Sequence, residues 1–145
     1  MSLIDILFAD DEHEESILSK RRIYFAHPIN TYNTILETFF LDYMKKYPDV
    51  FIVNPNSAEH EKQYKLKGMS YFKTLVRSCD KLIAFGFGDN SIGAGIAKEM
   101  DWMREKGGTV IFMPFFREWD EMVVPCAKQF NVLSVEETRE KLKQF

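Results

Sequence analysis

The sequence predicts an α/β fold: a three-layer sandwich around a five-stranded parallel sheet in the order 2-1-3-4-5. Three observations carry this expectation. Short, wholly apolar runs such as IYFA at 23–26 are what a strand buried on both faces requires. Segments with helical spacing separate each run from the next, the alternation that builds parallel sheets. Clusters rich in Pro, Gly and Asn close the first three runs: HPIN, NPNS and GFGDN.

The totals fit one domain. With 145 residues, 46% hydrophobic and 28% charged, the chain is long enough to bury a proper core. A net charge of -3, with no basic cluster beyond Lys20, Arg21 and Arg22, excludes nucleic acid as the main partner. No apolar run reaches membrane-spanning length, and the first residues lack the layout of a signal peptide, so a cytoplasmic protein with no membrane partner is expected. Cys79 and Cys126 are too few for a disulfide framework and are expected reduced and buried. His13, His27 and His60 share no ligand spacing with each other or with the cysteines, so neither a metal nor a cofactor is expected.

Residues 1–20 read as an N-terminal acidic arm, LIDILF followed by ADDEHEES, laid on a partner subunit. ILFADDE looks like the acidic strand end of a receiver domain, but Asp49, the nearest phosphorylatable candidate, precedes a strand instead of ending one. The α/β domain spans 21–145. After strand 1, a helix is expected over 31–46, with Tyr32, Leu36, Phe39, Phe40, Tyr43 and Tyr47 inward and Pro48 as its stop. Strand 2 is 50–53. A polar helical segment over 58–67 and, past Gly68, an amphipathic one with Met69, Phe72, Leu75, Val76 and Cys79 inward lead to Asp80 and strand 3 at 82–85. The next helix begins between Ser91 and Gly95 and stops at Gly107 and Gly108. TVIFM at 109–113 is strand 4, and Pro114 ends it. Residues 115–129 hold a loop and a helix interrupted near Pro125, and 131–133 form strand 5. Ser134 and Glu137 make a capping box that opens a last helix.

In a doubly wound, flavodoxin/Rossmann-like order, ligands bind outside the carboxyl ends of strands 1 and 3, where the winding reverses. Here those ends are AHPINTYN and GFGDNSIGAG, the two loops richest in small and polar residues. One side chain beside them is out of place. Ile92, Ile96, Met100 and Met103 share one helix face, and Glu99 falls on that same face. A carboxylate on an inward stripe must be paired, line a cavity or do chemistry. A glutamate so placed suits attack on an anomeric carbon, with Asp89 the nearby candidate for the proton donor that such a reaction needs. Gly86, Gly88, Gly93 and Gly95 make a loop able to bring backbone N–H groups to an anion or sugar, although no dinucleotide or P-loop spacing is present. His27 ends strand 1 at the crevice, where it could act as an acid, hydrogen-bond a base or simply cap the strand. Tyr24, Phe25 and Tyr32 read mostly as core, with room for one ring to stack on a base. Phe115, Phe116 and Trp119 could form a lid or a subunit contact.

IYFAHPINTYN, CDKLIAF and GAGIAKEMDWMREKGGTVIFM together resemble the nucleoside 2-deoxyribosyltransferase-like superfamily, over about 22–133. The last portion looks closest to its uncharacterised bacterial and phage branch. The resemblance implies that Glu99 is the nucleophile, eight positions before Gly107, and that Gly95 is the loop glycine four residues before it. It implies that the loop at Ala26, His27, Pro28 and Asn30 contacts sugar or base, and that Gly86, Gly88, Ser91, Gly93 and Gly95 line the opposite side. Two positions depart from the pattern. Gly93 stands where members often carry a serine, with Ser91 displaced by two residues, and Phe72 falls near a position where transferases carry an aspartate.

The resulting expectation is a nucleoside or nucleotide N-glycosidase or deoxyribosyltransferase, with a small-molecule partner and a homo-oligomeric state, dimer or higher, that the resemblance also implies. A non-enzymatic binder of nucleotides or ADP-ribose derivatives in the same crevice is the alternative. A structural or interaction protein, assembling through the arm and the aromatic C-terminal half, is a third reading.

Overall fold

The first strand is longer than its apolar run. In a computed structural model, which describes residues 21–87, 91–113 and 131–143, β1 is Arg21–Ala26. Its two leading arginines have their own anchors. Arg21 donates its backbone N–H to the Asp49 carbonyl at 2.8 Å, and Arg22 donates its N–H to Asp80 Oδ2 at 2.9 Å. The Arg22 guanidinium lies 5.2 Å from the centre of the Phe51 ring, so the charge stays at the wet end of the strand. Asp80, the aspartate opening the third strand, thus ties that strand to the first before the ladder begins.

The other strands of the main sheet are β2 (Val50–Val53), β3 (Lys81–Phe85) and β5 (Thr109–Met113). They pair in parallel in the order β2-β1-β3-β5, the first four positions of the expected arrangement. Successive side chains alternate faces. Tyr24, Ala26, Leu82, Ala84, Val110 and Phe112 therefore join one buried cluster, with Val76, Ile96, Met100 and Met103 from helices. Ile23, Phe25, Ile83, Phe85 and Ile111 join another, with Phe40 and Met44. Each Val, Leu, Ile, Phe or Met among them, fully buried, stabilises the fold by about 1.5–3 kcal/mol.

The fifth strand departs from expectation. β6 (Asn131–Val132) pairs with β4 (Ser91–Ile92), in a two-stranded parallel ladder apart from the main sheet. Leu133 extends it by donating its N–H to the Ile92 carbonyl at 2.9 Å. The loop after β3 turns back sharply to reach that position, with Phe87 N–H on the Ser91 carbonyl at 2.8 Å. Gly86 permits the return, since a Cβ there would lie 2.7 Å from the Ser91 carbonyl oxygen. The two short strands are in register, Asn131 opposite Ser91 and Val132 opposite Ile92.

Five α-helices are found among the described residues. The first, α1, is Ile35–Met44, and it begins four residues later than the periodicity suggests. Residues Ile29–Thr31 form a 3-10 turn instead, and Asn33 takes a left-handed φ of 61°, which breaks the helical path. The buried stripe is also displaced: Glu37, Phe40 and Met44 are inward, whereas Leu36 and Phe39 are 39% and 57% exposed. A carboxylate took the inward place that apolar counting assigned to Leu36.

The next two helices, α2 (Ala58–Lys67) and α3 (Met69–Arg77), are separated by Gly68, whose φ is 71°. Ser57 caps α2 by accepting the His60 N–H at 3.1 Å. The glutamate-bearing helix, α4 (Ala94–Lys106), starts within the expected window. It ends as a Schellman motif, with Gly107 at φ 89° and its N–H on the Arg104 carbonyl at 2.9 Å, and Gly108 N–H on the Met103 carbonyl at 3.0 Å. The last, α5 (Val135–Lys143), opens on the expected capping box: Glu137 N–H donates to Ser134 Oγ and Ser134 N–H to Glu137 Oε1, both at 3.0 Å.

Cys79 is buried and unbonded to another cysteine, and burial pushes its thiol pKa up. Among the described residues no helix is long and apolar enough to cross a membrane. The acidic arm, Cys126 and the aromatic group at 115–119 lie outside the described residues.

Candidate functional site

The carboxyl ends of β1 and β3 open onto a cleft of about 680 Å³. Its floor is Tyr24 and Glu99, from β1 and α4. One wall is the loop after β1, with His27, Pro28, Tyr32 and Asn33. The opposite side is Gly93, Gly95 and Ile96 at the start of α4, joined by Phe87 and by Thr138 and Leu142 of α5. The rim comes from Pro55 to Ser57 and from the faces of α2 and α3 that carry Glu61, Tyr64, Met69 and Phe72.

Glu99 sits where strand and helix faces meet. Tyr24 and Ala26 point to the side of the sheet that α4 covers, and the inward stripe of α4 brings Glu99 against Tyr24. The Tyr24 hydroxyl donates a short hydrogen bond to Glu99 Oε2. Burial raises the Glu99 pKa to about 7, and the hydrogen bond from Tyr24 opposes that rise. Burial and then the neighbouring carboxylate push the Tyr24 phenol well above its ordinary value, so Tyr24 remains a proton donor. Tyr32, across the cleft, is also pushed up, by burial first and by Glu99 and Glu37 next. The floor thus holds a carboxylate poised near neutrality, with a hydroxyl on one of its oxygens and the cleft in front of it.

A second carboxylate stands behind the wall. Glu37 is 6% exposed and gathers a dense set of partners. Its Oε2 lies 2.7 Å from His27 Nε2, its Oε1 accepts the Asn33 N–H at 3.2 Å, and Asn56 Nδ2 donates to both oxygens at 2.9 and 3.0 Å. The left-handed turn at Asn33 points that N–H back at Glu37, and Asn56 also reaches Asn33 Oδ1 at 3.0 Å. One carboxylate therefore ties the loop after β1 to the loop after β2.

His27 is fixed by this arrangement. Its Nδ1 faces the Phe25 carbonyl at 2.9 Å and its Nε2 faces Glu37, so both ring nitrogens abut acceptors. Each contact needs a hydrogen, so His27 and Glu37 share one proton between them. Burial lowers the His27 pKa, against the opposing pull of Glu37 and the Phe25 carbonyl. The ring stacks on Phe25 at 3.7 Å and meets Tyr32 at 4.7 Å. With both nitrogens engaged, His27 forms part of the cleft wall, held by Glu37 and the Phe25 carbonyl. Replacing Glu37 by Ala is expected to lower stability by roughly 2–4 kcal/mol, because His27, Asn56 and the Asn33 amide lose their acceptor together. Urea unfolding checks this, and a loss below 1 kcal/mol would contradict it.

Of the residues the sequence nominates, Glu99, His27, Pro28, Gly93 and Gly95 line the cleft. Ala26 and Ser91 are buried beside it in strands, and Gly86 serves the turn behind it; none of the three lines it. Asn30 is not in the lining either, and its Oδ1 is buried with no hydrogen-bond partner among the described residues. Asp89 and Gly88 lie outside the described residues. The sequence reading passed over Glu37 and Asn56, and it left Tyr24 to the core. Strand alternation was the available signal for Tyr24, since the β1 face that meets α4 must present residue 24 or 26 to Glu99. Gly93 has a local reason to lack a side chain: a Cβ there would lie 3.1 Å from Thr138 Cγ2.

Among the described residues no group of three or more His, Cys, Asp or Glu is arranged to hold a metal ion. Compared with known proteins, the sequence matches no family model, and no curated protein is significantly similar to it.

Proposed function

We propose that the protein breaks the N-glycosidic bond of a nucleoside or nucleotide, as a glycosidase or a deoxyribosyltransferase, with Glu99 as nucleophile. The observation that carries this reading is the Tyr24–Glu99 pair at the floor of an open cleft. The residue pattern resembling the nucleoside 2-deoxyribosyltransferase-like superfamily agrees with it.

The chemistry follows from the pair. Tyr24 holds Glu99 Oε2, which leaves Oε1 to attack C1′ of the sugar. The C1′–N bond breaks, its electrons pass to the base, and the base takes a proton from solvent or from a cleft donor. Water, or the nitrogen of an acceptor base, then attacks C1′ and releases the glutamate. Tyr64 and Phe72, with ring centres 5.2 Å apart at the rim, offer faces on which a base stacks. Incubation with a panel of nucleosides and nucleoside monophosphates, followed by chromatography for free base, tests the reading. Absence of base from every substrate would refute it.

Phe72 favours a second reading. An aromatic ring lines the cleft near the place where the resemblance puts an aspartate, which suits a non-enzymatic binder of nucleotides or ADP-ribose derivatives. Thermal stabilisation by such ligands without turnover would select it.

The same proposal includes a three-layer architecture, supported by apolar clusters on both sheet faces, and a cytoplasmic location. It also includes a homo-oligomer. Ile35, Leu36 and Phe39 of α1 are 82%, 39% and 57% exposed, beside Ile29 at the cleft mouth, 66% exposed. An apolar group of this kind suits a subunit contact. Phe39→Glu is expected to shift sedimentation toward the monomer; a wild-type chain that sediments as a monomer at tens of micromolar would remove the idea.

A further inference from the structure

The cleft meets two helix N-termini, and an N-terminus ordinarily attracts a phosphate through its free N–H groups and dipole. At each, one of those N–H groups is already taken by a side chain. At α4 the first N–H, that of Ala94, donates to Thr138 Oγ1 at 2.9 Å, so α5 sits over the end of the helix. At α2 the Ser57 hydroxyl takes the His60 N–H at 3.1 Å, and Glu59 and Glu61 fill the first turn. A side-chain hydroxyl therefore takes one N–H at each helix start, and at α2 the acidic first turn opposes a second negative charge.

The charges on the lining have the same sense. Glu99 lies at the floor and Glu61 at the rim, and none of the described lining residues is a lysine or arginine. Lys65, outside the described lining, pairs with Glu61 at 3.4 Å; the two side chains are 72% and 67% exposed, so water screens both and Glu61 acts on the rim, at low salt, rather than on the floor. A cleft lined by one sign of charge concentrates ligands of the other sign or none, and repels its own.

Resting on the nucleoside reading of this cleft, we infer that it selects an uncharged nucleoside over the corresponding nucleoside 5′-monophosphate, with Glu61 as a specificity-determining residue. A 5′-hydroxyl both donates and accepts, so it is at home beside carboxylates and hydroxyls. A phosphate carries nearly two negative charges and only acceptors. Placed in this cleft it faces carboxylates, and no lysine or arginine among the described lining residues balances it.

The test is calorimetric titration of the wild-type chain at pH 7.5 and low salt with each of the four 2′-deoxynucleosides and its 5′-monophosphate, with base release measured in parallel. For at least one base the nucleoside is expected to bind at least ~10-fold more tightly than its monophosphate. The ratio is expected to shrink in 0.5 M salt as screening grows, and to narrow several-fold in Glu61→Lys, a substitution at an exposed position that the fold tolerates. Monophosphates binding as tightly as nucleosides, or neither class binding, would overturn the inference. A preference for nucleosides without base release upholds it while removing the glycosidase reading. Base release with a preference for monophosphates does the reverse.

Discussion

Glu99→Gln is expected to abolish base release and, at pH 8, to make the protein more stable than the wild type. The first effect follows from the loss of the nucleophile: an amide oxygen does not form the glycosyl ester, and a fall of roughly 10³-fold or more is expected. The second follows from the carboxyl's environment. Glu99 titrates at about 7 in the folded chain against 4.5 for a free side chain, because burial disfavours its charge. Between those values only the folded state holds the proton, so stability falls as pH rises through the window and stays lowered above it. Glu99 is half-buried and meets water at the cleft, so the cost of ionising it is on the order of 2–3 kcal/mol, and glutamine, which still accepts from Tyr24, does not incur it. For a chain of this size that is a rise of ~5–10 °C in melting temperature at pH 8. The difference is expected to close below about pH 4, where the wild-type carboxyl is protonated in both states. Wild-type rates of base release in Glu99→Gln would remove the nucleophile, and a lower melting temperature at pH 8 would contradict the burial.

Tyr24→Phe is expected to move the pH dependence of the reaction. In the wild type, attack requires ionised Glu99, so the rate rises through about pH 7 and then levels. The Tyr24 hydrogen bond favours the ionised form and holds the Glu99 pKa below the value that burial alone would set. Without the hydroxyl, the rising limb is expected to shift to higher pH. The rate at pH 7 then falls several-fold, with most of it recovered at pH 9. A purely structural role for Tyr24 would lower the rate equally at every pH, and an unmoved midpoint would show that role.

The parallel order of the first four strands was legible because each strand is a short apolar run between helical segments, and that pattern fixes little else. The place of Glu99 was legible for a similar reason: a single carboxylate on an apolar stripe stands out against its neighbours. Glu37 did not stand out. It sits beside Leu36 and Phe39 on a helix with apolar residues on most sides, so periodicity alone admits two stripes one residue apart. The choice between them was made by Asn33, Asn56 and His27, which are near Glu37 only in three dimensions. The fifth strand failed for another reason, since two residues such as Asn131 and Val132 carry no information about which edge they join. Tyr24 was hidden by being aromatic, with a ring that belongs to the core and a hydroxyl that belongs to the cleft.

The seat of α5 over the beginning of α4 bears on when the cleft comes into existence. Thr138 and Leu142 line it from the far end of the described chain, while Tyr24 lines it from the near end. During synthesis the sheet and the Glu99 helix have emerged long before α5. Until then Ala94 has no Thr138 to receive its N–H, and the corner beside Gly93 lies open to water. A nascent chain therefore carries the carboxylate before it carries the part of the enclosure that α5 supplies.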